Sequence, residues 1–312
     1  MLAEKSLRNV IRCFGVDDEL IKINLYGDNV TYELKDNVRY VAATKKYADF
    51  NDVDRFYTTV YQHTSSAITS SRSYIASPPN NVFHGNTYQV ETIFPKKFEK
   101  DSPLFFDTPF TASSIFGAHT ADCLEAVDKT WDSPDIGNFQ VSAIRPQVES
   151  KDVYFMLSSS NGGVIPTLTS SLFHNIYNND KWNLNVRIKP KTYPFVNGVS
   201  GSTGNTFIVE FNGYNTVMDL IANSFSLTSS ISSANGENFM LAPKRFYVGA
   251  HRTNFTGTVL QLTDVKISSL KVWLKYLDED TIIAHSKDAH NSGVKNPYRN
   301  SWMTEISRSF GI

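Results

Sequence analysis

Residues 244–291, KRFYVGAHRTNFTGTVLQLTDVKISSLKVWLKYLDEDTIIAHSKDAHN, decide the fold class. Phe246 and Val248 alternate with Tyr247 and Gly249, the two-residue period of a strand with one covered face. Thr253, Asn254 and Gly257 then supply turn chemistry, because Asn and Gly adopt positive φ at low cost. Val265, Ile267, Leu270, Val272 and Leu274 mark a second strand. Its alternation slips between Ile267 and Leu270, so Ser268 and Ser269 are the expected site of a bulge. Asp278 stands as a helix N-cap, with Glu279 and Asp280 in the positively polarised first turn. Ile282, Ile283 and His285 would face inward on that short helix.

Upstream, from Tyr88, short strands alternate with Gly, Pro and Asn, the pattern of an all-β sandwich. Tyr88–Thr92, 139–144 and 153–157 read as strands, and Trp182–Ile188 is the cleanest alternator. Segments 206–211, 216–221 and 225–231 continue the meander, with Asn212-Gly213 read as a two-residue hairpin turn. Trp182 and Trp273 are expected between the two sheets. The start of the chain differs. Leu7, Val10, Ile11 and Phe14 have helical spacing, residues 21–34 read as a hairpin, and Val53, Phe56, Tyr57, Val60 and Tyr61 form one face of a second helix. A Ser/Thr-rich run and Pro78-Pro79 interrupt the pattern. The expected organisation is a small mixed α+β region over 1–80, an antiparallel jelly-roll β-sandwich over 81–291 and a terminal arm over 292–312.

The 312 residues are 41% hydrophobic and 13% aromatic, enough for a large core, and the net charge is −1 with no run of five like charges. A nucleic-acid tract and a basic membrane face are therefore not expected. No apolar run reaches membrane-spanning length, and charges interrupt the apolar part of residues 1–14, so neither membrane insertion nor a signal peptide is expected. Cys13 and Cys123 form no CxxC pair and read as two buried or half-buried thiols rather than a disulfide or zinc framework.

The V-G-A strand, the turn, the D-V-K-I-S-S-L-K-V-W strand and the short helix together resemble the C-terminal part of concanavalin A-like lectin/glucanase domains of the laminin-G type. The run KVWLKYLDEDTIIAH is most similar to versions in bacteriophage virion proteins. That resemblance implies a virion component assembled in the host cytoplasm. Its partners would be other virion proteins or further copies of the chain, with surface glycans as the alternative partner. Glucanases of this group carry an E-x-D-x-E-type set of carboxylates on one strand face, because the chemistry needs a nucleophile and an acid about 5 Å apart. No expected strand carries that triplet: Pro103 stands where the second Glu would follow Glu99 and Asp101. No G-x-S-x-G elbow, H-E-x-x-H pair or Walker loop is present either. His119 and His251 read as hydrogen-bonded structural histidines. The leading expectation is thus a non-enzymatic structural or decoration protein. A glycan-binding adhesin is the alternative, and a polysaccharide hydrolase the second alternative.

Candidate residues follow for each reading. A glycan platform would use aromatic rings beside amides: Trp131, Tyr193, Asn212, Tyr214 and Asn215. No cofactor is required. Calcium is the one metal the loops could hold, through Asp132, Asp135, Asn138 or Asp264, with tight turns as the competing reason for those residues. Assembly would use the helix face of Leu7, Val10, Ile11 and Phe14, and Tyr298, Trp302, Met303, Ile306 and Phe310 of the arm.

Overall fold

The computed structural model describes residues 13, 46–63, 74–77, 84–122, 127–128, 131, 136–160, 163–193, 206–217 and 220–287. The chain divides into units 1–44 and 45–312. In the first, Cys13 is a free and exposed thiol, not a buried one. The helix face of Leu7, Val10, Ile11 and Phe14, the hairpin at 21–34 and the arm with Tyr298, Trp302, Met303, Ile306 and Phe310 lie outside the described residues, as do Cys123, Asp132 and Asp135.

The second unit is an antiparallel β-sandwich. One sheet orders β1 (Ala48–Asp49), β15 (Lys266–Trp273), β3 (Asn86–Phe94), β9 (Asp180–Pro190), β10 (Phe207–Val217) and β11 (Leu220–Ile231). The other orders β2 (Thr59–Tyr61), β12 (Lys244–Gly249), β4 (Ala112–Asp122), β6 (Phe139–Ile144), β7 (Tyr154–Ser158) and β8 (Leu168–Thr169), with β5 (Val127–Asp128) on β4. A separate ladder joins β13 (His251–Arg252) to β14 (Val259–Gln261). Helix α1 (Ser233–Leu241) follows β11, and α2 (Glu279–Lys287) follows β15. Among the described residues no helix is long and apolar enough to cross a membrane.

The core lies between the sheets. Tyr88, Val90, Leu184, Val186, Val209 and Phe211 from one sheet meet Phe116, Phe139, Val141, Phe155 and Phe246 from the other, all buried. Trp182 is fully buried there, against Phe155 at 4.7 Å between ring centroids. Trp273 is not. It lies on the outer face of its sheet, half-buried and stacked on His285 at 5.6 Å, because the bulge shifts β15 by one residue. That bulge falls where the serines predict it, between Ile267 and Ser269, with Thr92 and Glu91 opposite.

Strands β1 and β2 correct the boundary drawn at residue 80. Both come from the stretch read as a separate region, yet Ala48 pairs with Ile267 and Val60 with Val248. The helix expected over 53–61 is a turn followed by β2. Phe56 alone is buried, on Phe110 at 5.2 Å, while Val53, Tyr57 and Val60 stay exposed. Asn212-Gly213 is no hairpin either, for β10 runs straight through it. Glycine is required there by packing: a Cβ on Gly213 would lie 2.2 Å from Phe225 Cε1 across the β10–β11 ladder. Gly213→Ala should therefore cost about 1–3 kcal/mol through overpacking, measured by denaturant unfolding. An unchanged midpoint would place the ring elsewhere.

Candidate functional site

The inner residues of β3, β9 and β10 are mostly apolar, so strand alternation sends the intervening polar residues to the outer face. Register then gathers them into three rows across β15, β3, β9, β10 and β11. The first row is Trp273, Thr87, Arg187, Glu210 and Thr228. The second is Lys271, Gln89, Asn185, Asn212 and Ser226. The third is Ser269, Glu91, Asn183, Tyr214 and Ser224. No member of any row is aliphatic. On β11 the row ends Ser224, Ser226 and Thr228 are exposed, whereas Gln89, Asn185, Arg187 and Asn212 are buried.

Helix α2 and the connection before it lie over this face. Asp278 caps the helix, accepting from the Thr281 amide at 2.8 Å as its sequence predicts. Ile282 is buried with Leu277 and Tyr214, and His285 Nδ1 meets Gln89 Oε1 at 2.9 Å. Tyr214 donates to Glu279 at 3.0 Å, and Arg187 donates to the Leu277 carbonyl at 3.0 Å. Arg187 also pairs with Glu210 at 2.8 Å. Gln89, Arg187, Asn212 and Tyr214 each bond to a neighbour in this layer, which offsets part of the cost of burying them.

Row one ends in a more open corner. Gly85, at φ +72°, lets the chain pass close under Tyr276, whose amide bonds to the His84 carbonyl. The Tyr276 hydroxyl donates to Glu210 at 2.8 Å, with Lys189 Nζ 4.0 Å and Arg187 5.0 Å from its ring centroid. Lys189 also lies 3.5 Å from Glu210. Burial pushes the Tyr276 phenol well above its usual pKa, so it is protonated at neutral pH and is a hydrogen-bond donor. The corner thus holds a donor, a carboxylate and two cations within one side chain's reach.

The structure brings together several residues proposed from sequence. Asn212 and Tyr214 occupy neighbouring rows, and Tyr193 borders the open corner, 5.5 Å from the Tyr276 ring. Asn215 is on the same strand but spends its amide on the Lys181 carbonyl. Trp131 is on neither this face nor its rim: it packs edge-on against His251 at 4.4 Å, beside the second sheet. The calcium candidates that are described are committed to protein. Asn138 accepts from the Thr120 amide and donates to Ser160, while Asp264 takes Ser113, Tyr177 and Arg145. Among the described residues no group of His, Cys, Asp and Glu is placed to hold a metal ion.

The His251 cluster is structural and gives a pH signature. His251 stacks on Tyr247 at 5.5 Å and neighbours His119 at 5.6 Å. Burial, reinforced by His119, drives its pKa from 6.5 down to about 3. Protonation thus favours the unfolded chain. Stability is full above about pH 6.5 and falls as pH drops towards the folded value, by up to about 1.4 kcal/mol per unit. His251→Phe should flatten that slope between about pH 6.5 and about pH 4 in denaturant titrations. An identical slope in the variant would assign the acid sensitivity to other groups.

No family model matches the chain, and no curated protein matches it. Among solved structures it is similar to the enzymatically active domain of tailspike protein 2 of bacteriophage CBA120, with a TM-score of 0.38 and 12% identity over 81% of this chain and 32% of that one. An alginate lyase from Klebsiella pneumoniae gives 0.27 and 8%, over 61% and 59%. One from Pseudomonas aeruginosa gives 0.30 and 10%, over 62% and 66%. The chain spans about a third of the tailspike structure's length. At these values the likeness assigns neither a family nor an activity.

One expectation is nevertheless corrected. The chain was expected to be a non-enzymatic structural component, and no enzyme. The structures it is similar to are described as an enzymatically active domain and as lyases. Elimination needs no pair of strand carboxylates, so the missing E-x-D-x-E triplet removed one mechanism and left catalysis open.

Proposed function

We propose that the chain degrades an acidic polysaccharide at the outer face of the β15–β3–β9–β10–β11 sheet. The observation that carries this reading is the three-row grid, together with the open corner of Tyr276, Glu210, Arg187 and Lys189. A face built to be plugged by a helix is cheapest when apolar. This one instead offers amides, hydroxyls, a guanidinium and a phenol, the groups that hydrogen-bond sugar hydroxyls and carboxylates.

The corner suits β-elimination from a uronate. A base removes the proton on the carbon that bears the carboxylate, a carbon–carbon double bond forms to the neighbouring carbon as its glycosidic C–O bond breaks, and a donor protonates the departing oxygen. Lys189 and Arg187 would neutralise the charge that develops on the uronate carboxylate, Glu210 would act as base, and Tyr276 as donor. The concanavalin A-like character and the setting on a phage particle facing host glycans belong to the same proposal, supported by the resemblance of residues 271–285 to phage virion chains.

A panel of neutral glucans and polyuronates tests it, read by new reducing ends and by ultraviolet absorbance of unsaturated ends. Polyuronate turnover with both signals is expected. Reducing ends without the absorbance would mean hydrolysis, and neither binding nor turnover on any polymer would remove the reading.

A further inference from the structure

We infer that α2 is a displaceable cover and that Asn185 beneath it orients the bound saccharide, an inference that rests on the reading of this face given above. Asn185 occupies the middle of the middle row, fully buried, and neither its Oδ1 nor its Nδ2 has a hydrogen-bond partner. Its cross-strand neighbours are already committed. Gln89 donates to Asn183 and meets His285, while Asn212 donates to Ser226 and accepts from Arg187. In the adjoining row Arg187 Nε and Trp273 Nε1 are likewise unpartnered.

A buried amide with both ends unpaired lowers stability, and an apolar residue of similar size would avoid that loss. Holding α2 therefore does not account for Asn185. A ligand with adjacent donor and acceptor atoms, such as a sugar hydroxyl pair, does. The way α2 is held agrees. Arg187 donates to the Leu277 carbonyl, and Lys181 and Thr216 donate to the Ser286 carbonyl. Tyr214 donates to the Glu279 carboxylate. The same donors could serve the carboxylate and hydroxyl oxygens of a uronate chain. The apolar anchor is Ile282 with Leu277 and Tyr214, against which Trp273 and Ile283 pack, a cluster separate from the main core, so the helix can lift without opening the space between the sheets.

The experiment uses the full chain and a short oligouronate. Hydrogen exchange should show the 279–287 amides exchanging faster with the oligosaccharide bound, while β9 and β10 stay protected. Ile282→Ser should tighten binding, because a closed cover lowers apparent affinity by the fraction of open molecules. Asn185→Leu should melt no lower than the wild type yet bind about tenfold or more weakly. If that variant does not fold, Asn185→Ser carries the same comparison. Undiminished binding by the Asn185 variant, or binding by the wild type with α2 exchange unchanged, overturns the inference and leaves the function standing. A wild-type chain that binds no saccharide overturns both.

Discussion

Tyr276→Phe is expected to lower kcat/KM on a polyuronate by about 10²–10⁴-fold, the usual worth of a positioned general acid. The substitution removes one oxygen from a residue that lies outside both sheets. The ring keeps its contacts with Lys189 and Arg187, and Glu210 keeps its two cationic partners. Thermal stability should therefore change little. The loss should fall on kcat rather than KM, because protonation of the departing oxygen occurs in the transition state and not on binding. It should shrink for substrates whose leaving group needs no proton. Equal activity in wild type and variant would take the donor role from Tyr276.

Asp264→Ala should cost about 3–5 kcal/mol of folding free energy. The carboxylate is 1% exposed and pairs with a fully buried Arg145 guanidinium at 2.7 Å, with Ser113 and Tyr177 each donating at 2.6 Å. Removing it strands a buried cation and two hydroxyls. Replacing both partners, as Arg145→Leu with Asp264→Leu, should cost markedly less than the single change, since no charge is then left unpaired. Chemical denaturation of the three proteins reads the difference. A double variant less stable than Asp264→Ala would mean that the pair contributes net stability beyond its own desolvation.

The fold was largely legible because alternation and capping are local. The 244–291 stretch yields two strands, the bulge at Ser268 and the Asp278 cap from neighbouring residues alone. Errors arose where a local signal served tertiary packing. Gly213 has turn chemistry beside Asn212, yet its missing Cβ makes room for a ring one strand away. Gly236 is required by packing in the same way: it sits within α1, where a Cβ would meet the Phe207 ring at 2.2 Å. The site was half legible. Asn183, Asn185 and Arg187 alternate with core residues in a strand plain from sequence, but their outward positions look like an ordinary solvated face. Only register sets them beside Gln89 and Glu210, and only the 274–277 connection brings Tyr276 over them. A search for paired carboxylates could not find this arrangement, because its chemistry is spread over three strands and a loop.

The central claim is that the polar face of the β15–β3–β9–β10–β11 sheet takes a saccharide. A crystal structure of the chain soaked with a short oligouronate tests it most directly. Sugar rings lying along the rows, with a carboxylate at Arg187 and Lys189 and a glycosidic oxygen at the Tyr276 hydroxyl, are the predicted result. Sugar bound instead beside Trp131 and His251 on the second sheet, with the grid still closed under α2, would contradict it.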